Sequence, residues 1–361
     1  TKIMNYTTVI KYPREATVFA ACCAIVFCVV GIIGNLVTIL ALIRCPKLRA
    51  HATTAFVLSL CISDLIFCVL NLPLTAARYI YEAWILGDAL CKLFPVLFYG
   101  NVGVSVLNMV AITLNRYVLI SCNQYYSQLY SRLSIWIQLI CIWGATFLLM
   151  LPPLLGIWGQ LGLNPSTFSC TVLKKDGKSP KKSDILSWIC TAMCCNNISI
   201  LVYLLQRTEV EKKIEITPVM YKYKYTLYLD NLNLWCRSIT DKRSSRREKD
   251  DSRLTKLMAL IFLCFLFCFF PLMLVNVFDD NDNDIKYPVF HVLASILAWA
   301  SSVINPFIYA ASNRQYRSAY SKLLRLVKSS VVFSDSKHAS NNSRQDRNGS
   351  VAYRPSGGSS V

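Results

Sequence analysis

Seven blocks of apolar, almost uncharged residues set what this chain can fold into. They lie at 16–43, 52–77, 93–114, 133–158, 185–206, 257–278 and 287–312. Crossing roughly 30 Å of hydrocarbon takes about 20 helical residues. Within lipid every backbone N–H and C=O must be satisfied inside the segment, so each block is expected to be a helix. A soluble core would instead show short apolar stripes at helical or strand period. With 54% hydrophobic and only 16% charged residues, the composition agrees. The expected fold class is all-α, a seven-transmembrane helix bundle over 16–312 with an outer N-terminal segment at 1–15. A short amphipathic helix over 313–328 and a disordered cytoplasmic tail over 329–361 complete the chain.

Basic residues orient the bundle, because Lys and Arg are retained on the cytoplasmic side. Arg44, Lys47 and Arg49 follow the first block, Arg246, Arg247, Lys249 and Arg253 precede the sixth, and Arg314, Arg317, Lys322, Arg325 and Lys328 follow the seventh. The other side carries Asp279, Asp280, Asp282 and Asp284. Lys174, Lys175, Lys178, Lys181 and Lys182 run against the bias, but the short loops together place the N-terminus outside, in the plasma membrane. The net charge of +18 is then a signal of topology and of anionic membrane lipids, with no nucleic-acid role expected. No cleavable signal peptide is visible after Thr1, and the first block can itself serve for targeting. On this topology Asn5, in Asn5-Tyr6-Thr7, is a usable glycosylation site, whereas Asn341 and Asn348 face the cytosol. Of sixteen cysteines, all but Cys91 and Cys170 fall in or near lipid or in the cytosol. A bridge between those two is the expected outcome in the oxidising compartment, the alternative being two free exterior thiols.

Polar residues inside the blocks carry the functional signal, since lipid makes them costly. Asp64 is the acidic residue of the second block. Its expected partners are Asn35, Ser105, Ser301, Ser302 and Asn305. These oxygens could cage a small hard cation such as sodium, or Asp64 could keep its proton and share hydrogen bonds with no ion. In Asn305-Pro306-Phe307-Ile308-Tyr309, Pro306 lacks an N–H and crowds the preceding turn, which makes a hinge. Asn115-Arg116-Tyr117 closes the third block at the cytoplasmic face. A lone arginine there could simply snorkel, or Arg116 could bridge to Asp251 ahead of the sixth block and tie the two helices in a breakable way.

In motif order and spacing, residues 15–328 resemble the rhodopsin-like (class A) G-protein-coupled receptors. The motifs are Gly34-Asn35, Leu60-Cys61-Ile62-Ser63-Asp64-Leu65, Trp84 with Cys91, Asn115-Arg116-Tyr117, Trp143, Phe265 with Cys268-Phe269-Phe270-Pro271, and Asn305 to Tyr309. Within the class the chain is most similar to the arthropod moody and trapped-in-endoderm receptors, through the Asn115 variant and Leu254-Thr255-Lys256-Leu257-Met258. The resemblance implies a ligand-driven transducer coupling to heterotrimeric G proteins, with arrestin as a further partner and roles in cell migration or epithelial barrier regulation. Asn115, Arg116, Tyr117, Asp251, Phe265, Phe269, Pro271, Pro306 and Tyr309 would form its activation switch. No cofactor is implied beyond an allosteric sodium ion.

Departures from the pattern carry physical meaning. Asn115 stands where the family has Asp, leaving Arg116 without a charged neighbour, and Phe269 stands where it has Trp. The fifth block lacks the family's proline and holds Cys190, Cys194, Cys195, Asn196 and Asn197, and the stretch from Glu209 to Trp235 does not resemble the family. A replaced segment there would leave a receptor-like chain that does not signal. In amine receptors of the class an Asp sits eighteen residues before the Arg of the third span, where this chain has Phe98. A cationic amine would be desolvated without a counter-ion. Arg78, Phe98, Tyr99, Asn276 and His291 at the outer ends suit instead a lipid, an anionic small molecule or a peptide terminus, although each could be an interfacial anchor.

Other functions fit less well. Gly103-Val104-Ser105 with His291 resembles an intramembrane serine protease, but Val106 replaces the glycine expected there. Paired broken helices or internal repeats, the mark of a transporter, are not seen. The chain ends Ser359-Ser360-Val361, a hydroxyl-x-aliphatic form that could add a strand to a PDZ scaffold, the alternative being a solvated tail with phosphorylatable serines.

Overall fold

The computed structural model describes residues 12–49, 51–121, 123–157, 159–173, 245–278 and 287–325. Among them six helices are long and apolar enough to cross a membrane. We number them by the expected order: span one Arg14–Arg44, span two Ala52–Tyr81, span three Gly87–Ser121, span four Arg132–Leu154, span six within Ser245–Phe278, and span seven Pro288–Ser312. The fifth expected span, 185–206, lies outside the described residues, as do Asn5, Asn341, Asn348, Ser359 and Val361.

Helices one, two and seven start and stop near the apolar blocks, whereas helices three and six run well past theirs. Span three is 35 residues, about 52 Å at 1.5 Å per residue, longer than the roughly 40–45 Å of a whole bilayer. Hydropathy marks only the stretch that must avoid water, and a helix whose backbone is already satisfied need not end at the lipid boundary. Span four ends sooner than 133–158 implies. Its regular helix stops at Leu148, and after two residues a single turn, Leu151–Leu154, holds Pro152 and Pro153, which lack the N–H a continuing helix needs. Span two widens to a π-turn at Phe67–Asn71, with the N–H of Leu72 reaching the carbonyl of Phe67. Pro73 follows at once, and the wider turn relieves the clash its ring would make with the preceding turn.

Among the described residues one hairpin is not helical. Gln160–Asn164 (β1) pairs antiparallel with Ser169–Leu173 (β2), Leu163 opposite Cys170, across a 3-10 turn at Pro165–Thr167. The Asn164 side chain accepts from the N–H of Ser166 at 3.0 Å, and Phe168 takes the left-handed conformation at φ 52° that closes the turn. Helical periodicity gives no hint of this hairpin, so the all-α expectation holds for the bundle and omits its outer cover.

Two buried clusters organise the bundle. The inner one joins spans one, two, three, four, six and seven around Phe56, Val104, Met109, Leu257 and Tyr309. The outer one joins spans one, two and seven around Phe67, Leu72, Tyr79, Val292 and Trp299. Spans one and seven meet closely because Gly34 has no side chain: a Cβ there would sit 3.2 Å from Cγ of Pro306. Gly103 serves spans three and four likewise, since a Cβ would press on Thr146. Large side chains such as Trp136, Ile140, Phe267 and Phe307 remain exposed, as expected of helices apolar on every face and solvated by lipid.

After span seven a helix covers 314–325. Asn313 accepts from the N–H of Gln315 at 2.8 Å to start it, and Arg317 Nη1 donates to the carbonyls of Ala310 and Ala311, satisfying the end of span seven. Along it Tyr316 and Leu323 are buried against the bundle and Leu324 is exposed, while 326–328 of the expected helix lie outside the described residues.

Candidate functional site

Midway through the bundle a small polar cavity is lined by Asp64, Asn101, Ser105, Ser301, Ser302 and Asn305, with Leu60, Val102, Met109, Phe265 and Phe269. Asn305 Nδ2 donates to Asp64 Oδ2 at 2.9 Å, and Ser302 lines the cavity beside the carboxyl. Four of the five residues expected around this carboxylate therefore line one cavity with it. Asn35 does not line the cavity. Its Nδ2 bonds the carbonyls of Gly31 at 3.0 Å and Ser302 at 2.9 Å, pinning span one to span seven. Ser105 Oγ is buried with no partner, so the cavity keeps an uncommitted oxygen in the same lining as a carboxylate, the donor chemistry of a hard cation. Asn101 was not legible as a member. It accepts from Ser63 Oγ, and only the packing of spans two and three brings them together.

Phe265 and Phe269 line this cavity with ring centroids 4.4 Å apart and ring planes tilted by 31°, and Pro271 lies two residues further along the same helix. Pro306 sits inside span seven against Gly34, and Tyr309 below it is fully buried and stacks on Tyr316 at 5.1 Å. Tyr320 reaches Thr38 Oγ1 at 3.0 Å, and burial pushes its phenol up to about 12, so it stays protonated at neutral pH.

At the end of the bundle away from the hairpin Arg116 and Asn115 are both buried. Arg116 Nη2 donates to Thr53 Oγ1, and Thr53 donates onward to Asn115 Oδ1 at 2.7 Å. Asn115 Nδ2 reaches the hydroxyl of Tyr126 at 3.3 Å, and Tyr126 packs on Tyr130 at 5.0 Å. Burial raises the Tyr130 phenol to about 12, with the neighbouring Tyr126 adding to it and Arg116 opposing. The asparagine thus joins a relay that begins on span two, with a hydroxyl bridging where a carboxylate would have contacted the guanidinium. Thr53 and Tyr126 were missed because nothing in their local sequence marks them. Tyr117 is half-buried beside this group, and the side chain of Asp251 lies outside the described residues. Trp143 Nε1 donates to Ser59 Oγ at 3.0 Å, fastening span four to span two nearby.

At the outer end the hairpin lies over the bundle. Cys91 at the top of span three and Cys170 in β2 are joined as a disulfide. Arg78 Nη1 donates to the carbonyl of Thr167 at 2.8 Å, and Tyr99 shares a hydrogen bond with Thr171 at 3.0 Å. His291 Nδ1 meets the Tyr12 hydroxyl at 3.0 Å, and Tyr12 leans on Phe168 at 5.8 Å. Phe98 packs between Phe67 and Phe94, inside the same outer cluster. The structure brings Arg78, Phe98, Tyr99 and His291 to one mouth, while the side chain of Asn276 lies outside the described residues. Ser105 and His291 make no catalytic pair: one lines the mid-bundle cavity and the other bonds Tyr12 at the mouth.

The bundle thus holds a polar cavity at mid-depth, a buried arginine network at one end and a disulfide-anchored hairpin at the other, and comparison with known proteins gives its class. The family model for the 7 transmembrane receptor (rhodopsin family) matches residues 34–309. The chain belongs to that family: it is a multi-pass class A G-protein-coupled receptor, not an enzyme. Protein trapped in endoderm-1 of Drosophila melanogaster is 50% identical to it over 317 residues, which are 88% of this chain and 80% of that one. G-protein coupled receptor moody of the same organism is 30% identical over 351 residues, 86% of this chain, and this chain spans about half its length (51%). The crystal structure of squid rhodopsin superposes with a TM-score of 0.66 over 88% of this chain and 87% of its own at 20% identity, a likeness of fold alone.

Proposed function

We propose that the chain is a plasma-membrane receptor, N-terminus outside, in which a ligand at the hairpin-covered mouth shifts the bundle between two arrangements and the inner ends pass that shift to a heterotrimeric G protein. The observation that carries this is the polar seam through the bundle. Asp64 and Asn305 join spans two and seven at mid-depth, and Thr53 and Arg116 join spans two and three at the cytoplasmic end. A buried network of this kind is satisfied in one arrangement and must be remade in another, and any ligand preferring one arrangement shifts the population. The ligand is not a biogenic amine, because Phe98 offers no counter-ion and its neighbours Phe67, Phe94 and Tyr99 are aromatic. Roles in cell migration or epithelial barrier regulation rest on the likeness to the moody and trapped-in-endoderm receptors. The Asp64 cavity takes a sodium ion, and arrestin and a PDZ scaffold are the further partners.

The test is nucleotide exchange. Full-length receptor in membranes with heterotrimeric G protein should accelerate GTPγS uptake, and Arg116→Ala should abolish that acceleration while surface expression persists. A chain that reaches the surface with its disulfide formed, yet drives no exchange with any G-protein class, would be a receptor-like protein without signalling.

A further inference from the structure

We propose that Arg78 is the recognition point for an oxyanion, a carboxylate or phosphate carried by the ligand, so that this receptor answers to an acid. The proposal rests on the receptor reading only in treating the occupant of the mouth as a signalling ligand. Arg78 is 7% exposed. A guanidinium has five N–H donors and keeps its proton at any physiological pH, so its charge cannot be relieved by titration. One donor is used, Nη1 to the Thr167 carbonyl at 2.8 Å, and Nε is buried without an acceptor. The guanidinium carbon lies 4.3 Å from the centroid of the Tyr79 ring, a contact that attracts the charge without neutralising it.

Among the described residues no carboxylate pairs with Arg78. Glu82, one helical turn on, bonds Arg14 at 3.1 Å and Thr17 at 2.9 Å instead. His291, the titratable group near enough to feel the guanidinium, is itself engaged with Tyr12. Among the described residues Tyr79, which the guanidinium contacts, belongs to an apolar cluster with Phe67, Phe98 and Trp299. A fixed positive charge in apolar surroundings is costly unless an anion meets it. With Nη1 turned to the hairpin, the edge formed by Nε and Nη2 is the one that matches two oxygens of a carboxylate or phosphate in parallel hydrogen bonds.

Thermal melting of the purified full-length receptor in uncharged detergent tests this, with dodecyl phosphate, dodecanol and inorganic phosphate as probes. The melting midpoint should rise saturably with an acid and stay unmoved by dodecanol. A rise with dodecyl phosphate alone identifies an amphiphile-borne head group, and an equal rise with inorganic phosphate identifies a small soluble acid. Arg78→Gln should raise the half-saturating concentration by about tenfold or more. Arg78→Lys, which keeps the charge and loses the fork, should fall between. A shift with dodecanol equal to that with dodecyl phosphate, no shift with either acid, or an Arg78→Lys response identical to wild type would overturn the proposal. That last comparison remains decisive if Arg78→Gln fails to fold. Exchange assayed in parallel separates the two readings: an Arg78-dependent shift without exchange refutes signalling and leaves the oxyanion site standing, and exchange without the shift does the reverse.

Discussion

At the scale of single residues, the arginine latch runs through a hydroxyl. Asn115 accepts from Thr53, which in turn accepts from Arg116, so the arginine is restrained through a hydroxyl and not by a charge on its own turn. A hydrogen bond to a charged group contributes about 1.5–3 kcal/mol. Thr53→Val, which keeps the shape and removes the hydroxyl, should raise ligand-independent GTPγS exchange by about tenfold. Asn115→Asp, which restores a carboxylate beside Arg116, should lower it. If Thr53→Val leaves basal exchange unchanged while Asp251→Ala raises it, the restraint comes from the sixth helix and the relay is only packing. At mid-depth, Asp64→Asn should remove any gain in melting midpoint that sodium chloride gives over potassium chloride. A sodium-specific gain that survives this substitution would place the ion elsewhere.

At the scale of elements, the hairpin and the close contact of spans one and seven carry the clearest consequences. Cys91 and Cys170 tie β2 to the top of span three, and Arg78 and Tyr99 hold the same hairpin through separate bonds. Replacing either cysteine with serine should reduce surface expression, and the double replacement should be little worse, because the two side chains make one bond. Losses that add would assign the thiols separate roles. Gly34→Val places branched carbon where even a Cβ stands 3.2 Å from Pro306. Overpacking of that kind costs about 1–3 kcal/mol, and the measurable result is a melting midpoint several degrees lower. A midpoint equal to wild type would show that Pro306 can give way, as a loose hinge would.

At the scale of the whole molecule, topology is the property most open to direct test. Seven crossings with the N-terminus outside leave Asn5 glycosylated and Asn341 and Asn348 bare. Single-sequon variants expressed in cells should carry sugar only at Asn5. Sugar on either tail site would mean that the 185–206 segment does not cross and that the tail emerges outside.

Much of this was legible in the chain itself, for a physical reason. Lipid imposes its demand locally, one backbone group at a time, so the six described spans and the pairing of Cys91 with Cys170 can be read without any contact map. Asp64 and Asn305 were legible as partners because each is expensive alone in lipid, and they do meet. The tertiary structure alone decided which side chains complete each site. Asn35 turns to a backbone carbonyl of span seven and leaves the cavity, Asn101 joins it from span three, and Thr53 and Tyr126 take up the latch. It also decided that the loop after span four is a hairpin and that Arg78 lies buried beneath it. Those outcomes depend on the angle and register at which helices pack, and on interactions between residues as far apart as Asp64 and Asn305, which no local pattern encodes.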